Sequence, residues 1–270
     1  MTTSKRISAV TFDYWNTLAH EQRGHLRDLR LGAWASILRD AGVEVTRAAL
    51  EDALAATWES YLADWTANHQ FDAVAGARAG IAHLGIDVAP SVATELIEAF
   101  TDAGANADLS LTPHIDGVLD EMARCGVRLG IVCDVGITGS QHLRAFLDRA
   151  GVLEHFDHWS FSDEVGVYKP DRRIFEHALD GLGVNDPSEA AHVGDLRRTD
   201  VAGARAMGMI SVRYRGVFDD AHQPAADQAD DQHPDDRARA GAVVTSPPDA
   251  PEGHHVLDDH RQLSDALGLL

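Results

Sequence analysis

Between about residues 110 and 216, short β-branched and apolar runs alternate with helical repeats, and this alternation confines the chain to an α/β fold with a parallel sheet covered on both faces. The strand signals are Val127 to Cys133, Phe156 to Phe161, Ala190 to Val193 and Ile210 to Tyr214. Helical patterns separate them at Ile115 to Cys125, His142 to Ala150, Arg172 to Leu182 and Asp200 to Met207. One further run, Arg6 to Phe12, stands alone near the start and stops abruptly at Asp13. It reads as a buried strand that delivers an acid to its carboxyl end, where open α/β sheets place their chemistry.

From about residue 20 to 105 the periodicity is helical throughout, with Leu31, Trp34 and Leu38, then Leu50, Leu54, Trp58 and Trp65, then Leu96 and Phe100 among the apolar positions. Gly42, Gly85 and Gly104 break the run into separate helices. Helices without intervening strands make a separate module, so the expected fold is a Rossmann-like parallel sheet core with an inserted all-helical cap domain. The core takes residues 1–18 and 106–270, and the cap takes 19–105. Residues 218–253 are acidic and rich in Ala, Pro and Gln; they are expected to be mostly disordered, with a short strand at Ala242 to Val244. The last segment, from His254, recovers apolar periodicity and is expected to pack back on the core.

A formal net charge of -20, with no cluster of Lys and Arg among aromatic residues, argues against nucleic acid and anionic lipid as partners. No apolar run approaches the roughly 20 residues of a membrane helix, and the first residues are too short in apolar length for a secretory signal, so a cytoplasmic protein is expected. Cys125 and Cys133 are read as free thiols, and the scattered His residues show no zinc spacing.

Four short motifs fall in order at strand ends: FDYWNTL over residues 12–18, IVCDVG over 131–136, KPD over 169–171, and HVGDLRRTD over 192–200. In the third, Pro170 suits a first helical turn. Taken singly, the positions have structural readings: Asp200 as a helix cap, Lys169 as a solvated surface residue, Cys133 as a small buried hydrophobe, and Trp15, Trp34, Trp58 and Trp65 as cap core in preference to the lining of a ligand pocket. A carboxylate at a strand end can instead attack phosphorus or an activated carbon and form a covalent ester.

Together the motifs resemble the haloacid dehalogenase superfamily of phosphatases and dehalogenases. That resemblance implies Asp13 as nucleophile, Lys169 as the catalytic cation, and Cys133 with Asp134 and Thr17 as groups that bind the phosphate or substrate. It further implies a Mg²⁺ site of Asp13, the backbone carbonyl of Trp15, Asp195 and Asp200, whose hard oxygens suit that cation. The implied substrate is a small phosphorylated metabolite. Cys133 replaces the family's usual Ser or Thr, and Trp15 replaces the second Asp that serves most of its phosphatases as acid and base. An aromatic residue at Trp15 is similar to the first motif of the family's metal-independent 2-haloacid dehalogenases, whereas Asp195 and Asp200 keep the metal-type ending. A dehalogenase, and a weakly catalytic binding protein on the same fold, are therefore the alternatives to a Mg²⁺-dependent phosphatase. Neither the natural substrate nor the oligomeric state is legible in the residues.

Overall fold

The computed structural model describes residues 6–22, 24–220 and 246–269. Its centre is a six-stranded sheet in which every pairing is parallel. The strands are β1 (Ala9–Phe12), β4 (Arg128–Cys133), β5 (His158–Phe161), β6 (Ala190–Gly194), β7 (Ile210–Tyr214) and β8 (His255–Leu257), in the order β5-β4-β1-β6-β7-β8. β1 is central, with Phe12 opposite Ile131 on one side and Val193 on the other. The ends of β1, β4 and β6 are therefore level, and the residues following each strand meet above the same edge. Side chains alternate between faces with period two. Val10, Phe12, Ile131 and Val193 enter one buried cluster, while Ala9, Val132 and Ala190 enter the other with Ile174 and Phe175.

α5 (Ile115–Arg124), α6 (Ser140–Arg149), α8 (Arg172–Gly181) and α9 (Ala202–Met207) supply the covering helices, and a short helix, α7 (Ser162–Val165), follows β5. α8 starts at Arg172, where the helical pattern begins in the sequence, but Pro170 does not enter its first turn. Asp171 is its N-cap, accepting from the Arg173 amide at 2.9 Å, so Pro170 precedes the cap and lies outside the first turn. The Lys169–Pro170 peptide is cis.

Four helices, α1 (His25–Asp40), α2 (Arg47–Thr66), α3 (Ala73–Leu84) and α4 (Pro90–Asp102), lie between β1 and the rest of the sheet in sequence. Leu31, Trp34, Leu38, Leu50, Leu96 and Phe100 form a buried cluster of their own, and the Trp34 indole donates to the Leu96 carbonyl at 2.8 Å. α2 is capped by Thr46, whose hydroxyl accepts from Ala49 N, and α3 by Asp72. Residues 19–21 are not helical insertion: β2 (Ala19–Glu21) pairs antiparallel with β3 (Leu109–Leu111), so both connections to the helices run through one ribbon. Strands of three residues are too short for a two-residue period to register against flanking helical patterns.

The last segment returns to the core as anticipated, with β8 on β7 and Leu257 and Leu263 buried. The flanks of the acidic stretch differ from expectation. Asp220, 2 % exposed, accepts from the Arg197 amide at 2.9 Å and pairs with its guanidinium at 3.0 Å. Arg213 pairs with Asp219, Asp220 and Glu252. Arg197 and Arg213 come from β6's following turn and β7, so basic residues of the core that precede the acidic stretch neutralise acids that look solvated when only local composition is considered. The remainder, residues 221–245 including the expected strand at Ala242 to Val244, lies outside the described residues. Both cysteines are free. No helix among the described residues is long and apolar enough to cross a membrane.

Candidate active site

Asp13 follows β1 directly, and its amide donates to the Val193 carbonyl at 2.8 Å, which extends the sheet by one rung and fixes the start of the carboxylate. Asp195 follows β6 in the same way. The chain then makes a π turn over Arg197–Val201 that carries Asp200 back towards the strand end. Gly194 is required by that return: a Cβ there would lie 2.3 Å from the Asp200 carboxyl carbon. Ligand oxygens of Asp13, Asp195 and Asp200 thus lie within 4.8 Å of one another, all buried.

Lys169 is brought to this cluster by the loop before α8. It is 4 % exposed, which rules out the solvated surface position. Its ammonium donates to Asp13 Oδ1 at 2.5 Å and to Asp200 Oδ1 at 2.7 Å. Burial works against its charge, but the attraction of Asp13, Asp200 and Asp134 prevails and holds its pKa well above the usual value. Asp200 is also engaged by His192 Nε2 at 3.0 Å and by the Leu196 amide at 3.0 Å, so it serves both as a cap of the turn and as a member of the cluster. Although burial opposes ionisation, Lys169 and His192 hold Asp200 below the usual carboxylate range. Asp13 has no such surplus of donors: burial pushes it up to about 7, Lys169 opposes the rise and Asp200 adds to it. Asp195 is likewise held well above the usual carboxylate range by burial and by the charges of Asp13 and Asp200, with the hydrogen bond from Asn16 Nδ2 at 3.1 Å and the charge of Lys169 in opposition.

The remaining sequence candidates divide. Asp134 lies beside the cluster, accepting from the Lys169 amide at 2.8 Å and from the Trp65 indole at 2.8 Å. Cys133 is fully buried at the end of β4, its thiol directed at the Asp134 carbonyl at 3.5 Å, and burial keeps that thiol protonated. Thr17 is fully buried but its hydroxyl has no hydrogen-bond partner among the described residues; its carbonyl accepts from Thr112 Oγ1 at 2.6 Å and His260 Nε2 at 2.9 Å. Trp15 is half-buried, its ring edge-on to Tyr14 at 5.2 Å.

The sequence assigns four further contributors no role in the site. His192, on β6, is opposite Thr11 of β1 and bonded to its hydroxyl at 2.9 Å; the alternation of β6 could have aimed it at the site. Ser162 Oγ accepts from the Val135 amide at 2.8 Å and steadies the loop after β4. The other two form the roof. Trp65 of α2 belongs to a cluster with Tyr61, Phe71 and Tyr168, and the Arg198 guanidinium lies 4.0 Å from the centre of its ring. Tyr61 packs so near the β4 loop that a Cβ at Gly136 would sit 3.1 Å from its ring.

A parallel sheet whose central strand ends present clustered carboxylates and a buried lysine defines an α/β enzyme-type site. A family model described as haloacid dehalogenase-like hydrolase matches residues 7–208, and the chain belongs to that family. It is 30 % identical over 217 residues to glyceraldehyde 3-phosphate phosphatase of Methanopyrus kandleri, covering 79 % of this chain and 87 % of the relative. It is also 30 % identical over 219 residues to (S)-2-haloacid dehalogenase of Pseudomonas sp. (strain YL), covering 78 % and 88 % respectively. A crystal structure of a HAD phosphatase from Thermococcus onnurineus superposes with a TM-score of 0.58 at 22 % identity, covering 97 % of this chain and 98 % of that one, which supports the fold.

Proposed function

We propose that this hydrolase is a Mg²⁺-dependent phosphatase that forms an aspartyl-phosphate on Asp13 with a small phosphorylated substrate. The observation that carries the reading is the convergence of Asp13, Asp195 and Asp200 around Lys169. Three buried carboxylates against one ammonium leave surplus negative charge, which fits a hard cation held by oxygen. Asp13, Asp195, Asp200 and the Trp15 carbonyl would hold Mg²⁺, which when bound would neutralise the repulsion between carboxylate and phosphate.

Asp13 attacks phosphorus through a carboxylate oxygen as the bond to the leaving oxygen breaks, and water then attacks phosphorus of the aspartyl-phosphate to release phosphate and restore the carboxylate. Lys169 holds the nucleophile in place and offsets charge on the transferring group. Trp15 cannot exchange a proton near neutral pH, so the leaving group departs unaided, and acyl and aryl phosphates are the favoured substrates over alkyl ones. Resemblance to both a phosphatase and a dehalogenase supports a second reading, 2-haloacid dehalogenation without metal, because halide needs no proton to leave and Trp15 suits it.

The deciding experiment measures phosphate release from an acyl and an aryl phosphate, with Mg²⁺ and with chelator, in the parent and Asp13→Asn. Mg²⁺-dependent release, lowered at least about 10⁴-fold in the variant, is expected. No phosphate release, with halide release from 2-chloropropionate in chelator, would replace this reading with the dehalogenase.

A further inference from the structure

The cluster contains more acid than base, yet Arg198, whose charge is felt there, makes no ion pair among the described residues. Among the described residues Arg198 Nε and Nη2 are buried without a hydrogen-bond partner, although the side chain as a whole is only half-buried. Those two nitrogens form the side-on edge of the guanidinium, whose parallel N–H bonds match the two oxygens of a carboxylate. The acids nearby are already committed: Asp134 to the Lys169 amide and the Trp65 indole, Asp200 to Lys169, His192 and the Leu196 amide. Burial lowers the Arg198 pKa and the neighbouring acids only partly offset this, as expected of a cation that lacks a direct partner.

The guanidinium is also held in place. The backbone amide of Arg198 donates to Ser246 Oγ at 2.7 Å, and the guanidinium carbon lies over the ring of Trp65, itself tethered to Asp134. A guanidinium held two residues before Asp200, beside the charges of Asp134 and Asp200 and with an unused fork, is set to bind an anion.

We propose that Arg198, with the face of Trp65, forms a subsite for a carboxylate carried by the part of the substrate that leaves. This deepens the reading of the site as a phosphatase by naming the class of leaving group, a carboxylated alcohol, phenol or acid. Arg198 comes from the core and Trp65 from α2, so the same stack that receives the carboxylate joins the two layers over it. Arg198 is a specificity residue: it touches substrate away from the reacting phosphorus.

The test compares 4-carboxyphenyl phosphate with its methyl ester, which has a similar leaving group without the charge, in the parent, Arg198→Met and Arg198→Lys, all with Mg²⁺. The parent is expected to favour the carboxylate about 10- to 100-fold in kcat/KM, mainly through KM. In Arg198→Met the ratio approaches one, and Arg198→Lys recovers part of it. A ratio near one in the parent, or a ratio that survives Arg198→Met, overturns the proposal. Calorimetric binding of phosphonoacetate and ethylphosphonate provides a readout that needs no turnover. Tighter binding of phosphonoacetate that depends on Arg198 upholds the subsite even if neither ester is hydrolysed, a result that would defeat the phosphatase reading alone. Equal binding, or none, with both esters hydrolysed equally, defeats the subsite and leaves the phosphatase reading standing.

Discussion

The floor and the roof of the site are built on opposite principles. The floor is charged and dry: Asp13, Asp195, Asp200 and Lys169 are all buried, and each is held by the end of a strand or by a turn bonded to one. The roof is aromatic, with Tyr61, Trp65, Phe71 and Tyr168 packed against one another and only a few polar contacts reaching downward. Such a floor stores electrostatic stress that a substrate or cation can relieve, whereas such a roof contributes shape and exclusion of water. Chemistry should therefore fail when the floor is altered, and selectivity should drift when the roof is.

Lys169→Met tests the floor most severely. The side chain keeps its length and loses the two ion pairs to Asp13 and Asp200, so kcat should fall by about 10³-fold, near 4 kcal/mol, with a smaller change in KM. Steady-state kinetics on an aryl phosphate measures this. A loss confined to KM would mean that the lysine merely gathers substrate, and the contrast between the layers would weaken.

His260 extends the floor beneath the nucleophile loop. It is fully buried, stacked on Tyr214, and its Nε2–H donates to the Thr17 carbonyl, while Nδ1 has no partner among the described residues. Burial lowers its pKa from 6.5 to about 4 despite the favourable Thr17 bond. The unfolded chain therefore binds a proton that the folded one refuses, and this stabilising contribution is complete above pH 6.5 and declines as pH falls towards 4. By pH 5 the loss amounts to about 2 kcal/mol. Urea midpoints at pH 7 and pH 5 should show a drop in the parent that is smaller by about that amount in His260→Gln. Equal drops would show that the imidazole already carries its proton in the fold.

These two layers also differ in how far they could be read from the chain. Asp13, Lys169, Asp195 and Asp200 stand in short motifs at the ends of runs whose period declares them strands, and a parallel register then brings those ends together without further information. Nothing comparable marks the roof. Trp65 lies 69 residues from Asp134, which it bonds, and its position depends on how α2 packs over the loop after β4. Arg198 sits inside a recognised motif, yet its stacking on Trp65 is invisible until both layers are placed. The pairs of Arg213 with Asp219 and Asp220 escaped for a different reason: they span only a few residues, but the acidic composition after Phe218 signals solvation and hides the partner at the end of β7. The ribbon β2-β3 was hidden by brevity, and the place of Pro170 outside α8 by Asp171, which takes the N-cap after it.

Asp195→Asn tests whether the floor is stressed. With Mg²⁺ absent, removing one of three crowded carboxylates while keeping an acceptor for Asn16 should stabilise the protein by about 1 to 2 kcal/mol, at the expense of activity. Thermal unfolding with and without Mg²⁺ reads it: Mg²⁺ should raise the parent's Tm and have less effect on the variant. A variant that is less stable than the parent without metal would mean that Lys169 and the hydrogen bonds already balance the cluster.

Trp65→Phe is the smallest change and the finest test of the division. It preserves most of the ring under Arg198 and deletes a single donor, the indole N–H that holds Asp134 Oδ2 at 2.8 Å. Asp134 keeps the Lys169 amide on its other oxygen, so its carboxylate stays placed but less well solvated, and its pKa, already raised by burial, should rise further. The cost should be about 1 kcal/mol, the usual worth of one such bond, and should appear as a several-fold rise in KM while kcat changes little. If kcat falls instead, Asp134 and its indole belong with the reacting groups, and the boundary between a catalytic floor and a selective roof has to be drawn above Trp65.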